Sequence, residues 1–249
     1  QGGTVMTGTF ITMRRVLMQL RNDPRTIGLI LVVPCVLMGL LAWIYHDNQP
    51  HVFDQIGPAL LGLFPLIVMF IVTSISTLRE RRSGTLERLW TTPVTKGGFV
   101  AGYALAFGLM SVLQAVIAVA FSIWVCGLSL VGPVWQLVVV AVLDAVLGTC
   151  LGLLASGFAQ TEFQAVQFMP ALILPQFLLC GLLVPRDQLP DVLRWVSDIL
   201  PLSYAVDAMK TLATSADSGA DVARDCLILV GFITLAVVGG TATLRRRTA

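Results

Sequence analysis

Long stretches without charged residues constrain this chain more than any other feature of its sequence. Five such stretches contain no Asp, Glu, Lys or Arg, and they cover Ile27–Tyr45, Ile56–Leu78, Gly97–Leu143, Phe163–Pro185 and Cys226–Leu244. A helix needs about 20 apolar residues to cross the hydrocarbon core of a bilayer. Gly127 and Gly132 with Pro133 predict a turn inside the longest stretch. The sequence therefore predicts an all-α membrane protein with six spans, near residues 27–45, 56–78, 98–126, 134–156, 164–184 and 226–244.

The composition leaves little of the chain for anything else. Of its 249 residues, 56% are hydrophobic and 12% are charged, whereas soluble domains contain about 25% charged residues. This excludes a soluble globular enzyme and a disordered chain. No two of the five cysteines are closer than 24 residues, so neither metal-site spacing nor a disulfide framework is present. We expect residues 1–5 to be a tag remnant and residues 6–249 to form one transmembrane domain.

The charged residues outside the spans are divided unequally between the two sides that six spans define. The side with both termini holds twelve of the sixteen Lys and Arg residues and four acidic residues, a net charge of +8. The opposite side holds four basic and nine acidic residues, a net charge of −5. Because cytoplasmic loops carry an excess of Lys and Arg, we expect both termini to be cytoplasmic.

Two segments on the basic side have apolar residues at helical spacing. In the first, Phe10, Met13, Leu17 and Leu20 recur at helical spacing, and Pro24 stops the pattern. Residues 7–24 therefore predict an amphipathic helix on the cytoplasmic leaflet, and the alternative is a solvated start of the first span. Residues 79–96 place Leu86, Leu89 and Trp90 on one face of a short helix that Pro93 ends. Exposed apolar faces indicate a docking partner. The alternative is a loop that only obeys the positive-inside rule.

The opposite side contains one long segment, residues 185–224. An amphipathic stripe in it predicts a partly re-entrant element at the outer membrane surface, and its members are Val192, Trp195, Val196 and Ile199. We expect this stripe to form either a movable lid at this end of the bundle or a rigid cap that shields the span ends.

Within the predicted spans, the fourth carries two further features. Asp144 is the one charged residue inside a span, where a carboxylate costs about 2.5–3.5 kcal/mol at the helix centre. We expect it to face a polar interior or a partner, either as a structural pair or as a substrate contact. Gly148, Gly152 and Ser156 recur every four residues, which predicts close helix contact within the subunit, and dimerisation is the alternative.

Several catalytic motifs are absent from the sequence. There is no G-x-x-x-x-G-K-[ST] loop to hold nucleotide phosphates, and no H-E-x-x-H, G-x-S-x-G or C-x-x-C. We therefore expect no enzymatic activity, no cofactor and no metal in this chain, and no nucleic-acid partner. A secondary transporter or channel is an alternative that needs an inverted repeat or several intramembrane charges. A membrane enzyme or assembly scaffold is another, without a nucleophile–base set to support it.

Two stretches of sequence resemble ABC-2 type transporter permeases, and in particular bacterial drug-exporter permeases of the daunorubicin-resistance type. The first runs from Leu78 through Arg-Glu-Arg-Arg-Ser-Gly-Thr-Leu-Glu-Arg-Leu-Trp-Thr-Thr-Pro to Val94, before a Gly-rich entry into the next span. The second runs from Cys180-Gly-Leu-Leu-Val-Pro-Arg-Asp-Gln-Leu-Pro to Trp195 and Leu200-Pro-Leu-Ser-Tyr-Ala-Val-Asp-Ala-Met-Lys.

The resemblance implies a type V ABC exporter fold in a bacterial inner membrane. It implies two six-span permeases, this one with a second copy or a paralogous permease, and a dimer of separate ABC ATPase subunits that binds ATP and Mg. Residues 7–24 would be the interfacial helix. Residues 79–96, which we call the coupling loop, would dock on the ATPase. The coupling-loop residues singled out are Arg79, Glu80, Arg82, Gly84, Thr85, Leu86, Glu87, Leu89, Trp90 and Pro93.

The expected substrate is hydrophobic or amphipathic, either a drug or a lipid-like molecule. Export of a glycan or a lipid-linked saccharide by the same architecture is the alternative within this resemblance.

Overall fold

The computed structural model describes residues 2–46, 50–82, 96–216 and 219–246. All regular secondary structure within these ranges is helical. A short 3-10 turn, Arg186–Gln188, lies between the sixth and seventh α-helices. The α-helices are α1 (Gly2–Arg21), α2 (Pro24–His46), α3 (Pro50–Arg82), α4 (Lys96–Trp124), α5 (Val134–Phe158), α6 (Glu162–Leu179), α7 (Asp191–Ile199), α8 (Pro201–Thr214) and α9 (Gly219–Arg246).

Five of these helices are long and apolar enough to cross a membrane. They are α2, α3, α4, α5 and α9, and they contain five of the six predicted spans. The sixth prediction, residues 164–184, falls on α6, which has 18 residues and ends at Leu179. At 1.5 Å per residue this helix is about 27 Å long. Its mean hydropathy is lowered by Glu162 and by three glutamines, Gln164, Gln167 and Gln176, so α6 is not among the helices that are apolar enough to cross a membrane.

The bundle has two ends, which we name by the charges predicted for them. At the basic end α3 and α5 finish and α4 and α6 begin, and α1 turns into α2. At the acidic end lie the 125–133 turn, α7 and the start of α9. α9 begins at Gly219 rather than near residue 226, so the last residues of the predicted 185–224 segment belong to this helix.

The centre of the fold is the seam between α3 and α5, the two helices with the most extensive mutual contact. A Cβ atom added to Gly148 would lie 2.4 Å from the carbonyl oxygen of Leu66, and one added to Gly152 would lie 2.6 Å from that of Phe70. Any larger residue would force the helices apart. The small residues of α5 therefore pack within the subunit, as predicted.

Helix α1 lies against α4. A Cβ atom added to Gly102 would lie 2.6 Å from the Cβ atom of Thr12, so this glycine allows the close approach. Thr12, Val16 and Leu20 are buried in the contact, whereas Phe10 is 66% exposed. The buried stripe is thus shifted from the predicted Phe10–Met13–Leu17–Leu20 stripe, although Leu20 belongs to both.

The turn between α1 and α2 ends at Pro24, where the sequence predicted a stop. Asp23 caps α2, because its carboxylate accepts hydrogen bonds from the backbone N–H of Thr26 at 3.2 Å and from the Thr26 hydroxyl at 2.7 Å. These bonds lower the pKa of Asp23 below its usual value. The turn at the other end of the bundle is also as predicted, and Gly127 in it has a φ of +71°.

Helix α8 is buried inside the acidic end of the bundle, and not at its surface. It packs on α3 and α9. Its apolar residues with 0–1% exposure are Leu202, Ala205, Val206, Ala208, Met209 and Leu212. Its far end is joined to the 125–133 turn, since the backbone N–H of Gly132 donates to the carbonyl oxygen of Leu212 at 2.8 Å.

Candidate coupling site

Two adjacent residues in the last turns of α3, Arg79 and Glu80, contact different helices at the basic end. Arg79 donates two hydrogen bonds to Glu162 at the start of α6, from Nε to Oε1 at 2.8 Å and from Nη2 to Oε2 at 2.9 Å. Glu80 forms an ion pair with Arg15 of α1. The end of α3, from which the coupling loop continues, is thereby joined to both α1 and α6.

The two pairs differ in their exposure to solvent. The side chains of Arg15 and Glu80 are 30% and 12% exposed, whereas those of Arg79 and Glu162 are 66% and 46% exposed. Exposed pairs contribute about 0.2–1 kcal/mol, and breaking a buried pair by removing one partner costs more. The Arg15–Glu80 pair is therefore the stronger link, and the bidentate Arg79–Glu162 pair mainly fixes geometry.

Tyr103 of α4 adds a third helix to the Arg15–Glu80 link. It is 2% exposed, and its hydroxyl interacts with the side chains of Arg15 and Glu80. Its ring lies 6.1 Å from that of Phe107, between centroids. We call Arg15, Arg79, Glu80, Tyr103 and Glu162 the basic-end node, because together they connect α1, α3, α4 and α6.

A cavity of about 230 Å³ lies beside this node, between α1, α3, α4 and the start of α2. Polar and charged side chains share its wall with apolar ones. The lining residues include Gln19, Asp23, Thr26, Arg79, Glu80 and Tyr103.

Only part of the predicted coupling loop falls within the described residues. Arg79 and Glu80 are placed as above, and Arg82 is the last residue of α3. The other predicted loop residues lie outside the described part of the chain, namely Gly84, Thr85, Leu86, Glu87, Leu89, Trp90 and Pro93.

The sequence did not single out Arg15, Tyr103 or Glu162 as site residues. Arg15 and Glu162 were counted only for their charge. Their partners lie 65 and 83 residues away along the chain, and no motif relates residues at such separations. The position of Glu162 at the first residue of an apolar helix, near the same side as Arg79, was the one available signal.

The predicted lid residues lie on α7 at the acidic end. Val192, Trp195 and Ile199 are 73%, 67% and 51% exposed, and Val196 is half-buried. The inner side of α7 is polar, because the hydroxyl of Ser197 donates to the carbonyl oxygen of Leu179 at 2.8 Å. The predicted stripe therefore faces away from the bundle.

A second ion-pair cluster, also missed in the sequence, holds the acidic end together. Arg186 pairs with both Asp198 and Asp207, and its guanidinium lies 5.5 Å from the ring centroid of Tyr204. Burial raises the pKa of Asp207, and the Arg186 charge opposes that rise. The Nζ of Lys210 donates to the carbonyl oxygen of Gly181. These contacts join the ends of α6, α7 and α8.

Asp144 lies in the half of the α3–α5 seam that is nearer the acidic end, one turn before Gly148. It is completely buried, and in the described part of the chain neither carboxylate oxygen has a hydrogen-bond partner. A Cβ atom added to Gly62 would lie 3.4 Å from Oδ2 of Asp144 and 3.2 Å from Sδ of Met209. The structural pair considered for Asp144 is thus not present among these residues.

Comparison with known proteins gives the family of the chain. The family described as ABC-2 type transporter matches residues 7–212. The chain is 28% identical over 168 residues to the "Probable multidrug ABC transporter permease YbhR" of Escherichia coli (strain K12), which is 68% of this chain and 45% of that protein.

Two further relatives match a similar share of this chain. The "Linearmycin resistance permease protein LnrN" of Bacillus subtilis (strain 168) is 24% identical over 184 residues, 74% of this chain and 47% of that protein. The "ABC transporter G family member 20" of Dictyostelium discoideum is 25% identical over 169 residues, 68% of this chain and 23% of that protein. The chain thus spans less than half the length of these relatives.

Proposed function

Because the chain belongs to the ABC-2 type transporter family, we propose that it is the permease subunit of an ATP-driven exporter. It forms the membrane path for a hydrophobic or amphipathic substrate, such as a drug or a lipid-like molecule. A separate ABC ATPase dimer binds ATP and Mg and supplies the energy. Relatives named as multidrug and linearmycin-resistance permeases support this substrate class.

The observation that carries the proposal is the basic-end node. The coupling loop, residues 79–96, docks on the ATPase through Leu86, Leu89 and Trp90, and Glu87 meets a basic group there. A displacement of the loop pulls on the end of α3. The Arg15–Glu80 pair passes it to α1, and the Arg79–Glu162 pair passes it to α6.

We further propose a six-span topology of the type V exporter kind, in which α6 is the additional span. The basic end is cytoplasmic, the membrane is a bacterial inner membrane, and α1 lies at its cytoplasmic surface. A second permease, identical or paralogous, completes the path. The +8 and −5 charges of the two sides support this orientation. A cysteine at Asn48 should react with an impermeant reagent from outside, whereas one at Ser83 should not; the reverse pattern would overturn the topology.

The exposed α7 stripe is proposed as the lid over the exit path. Its apolar side chains face away from the bundle, so the surface that they close against belongs to the membrane or to the second permease. The Arg186 cluster keeps α7 together with α8.

The test of the docking role uses Leu89→Asp in the complex purified with its native partners. Full burial of a Leu side chain stabilises an interface by about 1.5–3 kcal/mol, so this variant should lose most of the copurified ATPase. Ser83→Asp is the matched control, because it adds the same charge to the same loop without removing an apolar contact. Equal recovery of ATPase with both variants would contradict docking.

Glu87→Gln separates docking from coupling. A charge at the rim of an interface sets register more than affinity. This variant should keep the ATPase bound and lower its stimulation by substrate. If Leu86, Leu89 and Glu87 are all replaced and every Arg and Lys is kept, wild-type copurification and transport would reduce the loop to a topology signal.

A further inference from the structure

Asp144 carries a carboxyl group inside a predicted span, and the proposed coupling path does not use it. Asp144 is completely buried, and both of its oxygens lack a hydrogen-bond partner within the described part of the chain. Buried polar groups normally have partners, because their desolvation is otherwise uncompensated. A carboxyl group in this situation is available to a ligand that the bundle admits.

The surroundings of Asp144 are formed by three helices. Asp144 continues the stripe of Gly148, Gly152 and Ser156 at four-residue spacing on α5, and Gly62 of α3 lies opposite it. Met209 of α8 closes the third side, since a Cβ atom at Gly62 would lie within 3.4 Å of both Asp144 Oδ2 and Met209 Sδ. The carboxyl group therefore lies where α3, α5 and α8 meet, beside a polarisable thioether.

Two classes of partner do not fit this position. A second permease cannot contact Asp144, because the residue has no exposed surface and only a molecule small enough to enter between the helices can reach it. A metal ion needs several oxygen, nitrogen or sulfur ligands. In residues 2–46, 50–82, 96–216 and 219–246, no group of three or more His, Cys, Asp and Glu side chains comes together. An organic cation needs only the single carboxylate for charge recognition.

Helix α8 separates this position from the acidic end. Its inner side carries Met209, and its outer side is tied to the acidic end by the Arg186–Asp207 pair and by the Lys210 contact with Gly181. Along the chain, Leu200 is the single residue between α7 and α8. A displacement of α7 and α8 would uncover Asp144 toward the acidic end, which is the proposed exit side.

We propose that Asp144 is the charge-recognising residue of a binding site for lipophilic organic cations between α3, α5 and α8. This inference rests on the proposed export function, since the site lies on the exit path. In an apolar interior a carboxylate attracts a cation much more strongly than in water. A cation with its charge spread over aromatic groups is weakly hydrated and enters at low cost, and the Met209 thioether contacts its apolar part.

The experiment measures binding to the complex purified with its native partners in lipid nanodiscs. The probes are tetraphenylphosphonium and tetraphenylborate, which share size and shape and differ in the sign of their charge. Asp144→Asn should weaken tetraphenylphosphonium binding at least ten-fold and leave tetraphenylborate binding unchanged. Asp144→Glu should retain cation binding. Asp54→Asn, at the acidic-end start of α3, is the matched control and should bind both probes like the wild type.

Two outcomes would overturn the site. One is unchanged cation binding in Asp144→Asn, and the other is an equal loss of both probes, which indicates a packing defect. Failure of the export function is a separate result: the complex would show no ATP-dependent transport while Asp144→Asn still lost cation binding selectively. Transport of a substrate with unchanged cation binding in Asp144→Asn would refute the site alone.

A measurement on the wild-type protein guards against a variant that does not assemble. Dicyclohexylcarbodiimide modifies carboxyl groups in apolar surroundings, and mass spectrometry locates the adduct. Tetraphenylphosphonium should protect Asp144 from modification, whereas tetraphenylborate should not. Absence of any adduct at Asp144, or an adduct yield that the cation does not change, would count against the site.

Discussion

Ion pairs hold both ends of this helix bundle, but they connect residues at very different separations along the chain. At the basic end, Arg15–Glu80 and Arg79–Glu162 join residues 65 and 83 positions apart. At the acidic end, Arg186 joins Asp198 and Asp207, which are 12 and 21 positions away. The basic-end pairs therefore link helices that are far apart along the chain, whereas the acidic-end pairs link elements that follow one another along it.

This difference assigns different mechanical roles to the two ends. A pair between distant helices converts the movement of one helix into the movement of another. Pairs within one segment keep that segment rigid when it moves. In the proposed function, the basic end thus suits the transmission of ATPase motion to α1 and α6, and the acidic end suits a lid in which α7 stays attached to α8.

The largest effect is expected from charge reversal in the basic-end node. Glu80→Arg places a second positive charge beside the half-buried Arg15, so α1 and α3 separate. We expect substrate-stimulated ATPase activity to fall about ten-fold, which corresponds to about 1.4 kcal/mol in a barrier. The ATPase should still copurify. Activity is measured on the reconstituted complex.

The reciprocal exchange provides the control for this prediction. Glu80→Arg combined with Arg15→Glu restores opposite charges at the same positions, and we expect it to recover part of the activity. If the double variant is as inactive as the single one, the pair does not transmit motion and Glu80 acts in another way.

A substitution in the ion-pair cluster of the acidic end should lower the thermal stability of the protein and leave the substrate stimulation of the ATPase unchanged. Arg186→Gln leaves Asp198 and Asp207 without their cation, and loss of a charged partner of this kind costs about 1–3 kcal/mol. We expect a lower thermal midpoint in detergent with the ATPase stimulation per folded complex unchanged. A normal midpoint together with lost stimulation would reverse the roles that we assign to the two ends.

The sequence predicted the long helices well and the contacts between their ends poorly. The starts of α2 and α5 follow from Pro24 and from the turn with Gly127 and Pro133, which are local signals. The packing of Gly148 and Gly152 also follows from a local pattern. Arg15 and Glu162 gave no such signal, because the choice of an ion-pair partner depends on distances that only the assembled bundle defines.

The buried position of α8 was missed for a different physical reason. Asp207 and Lys210 made this segment resemble a surface helix. In the structure these two residues lie on the outer side of α8, where Asp207 pairs with Arg186, while Leu202, Ala205 and Met209 fill the bundle. The early end of α6 has a similar explanation, because Gly181, with a φ of +85°, breaks a run that composition alone extends to residue 185.

The exposed stripe of α7 offers a test of the lid that does not disturb the acidic-end cluster. Trp195 is 67% exposed and has no role in the Arg186 contacts. Trp195→Glu should therefore reduce export while the thermal midpoint and the assembly of the complex stay normal. Trp195→Phe is the conservative control and should retain export. Normal export by Trp195→Glu at wild-type expression would leave α7 as a static cap.

The smallest effect is expected at the exposed pair of the basic end. Glu162→Gln keeps one of the two acceptor oxygens for Arg79 and removes the charge and the second hydrogen bond, and exposed pairs contribute about 0.2–1 kcal/mol. The loss in substrate-stimulated ATPase activity should be smaller than that of Glu80→Arg, and it should shrink further in high salt, which screens exposed charges. The measurement compares wild type and Glu162→Gln at low and high ionic strength. A loss as large as that of Glu80→Arg at both salt concentrations would mean that α6, and not α1, receives most of the motion of α3.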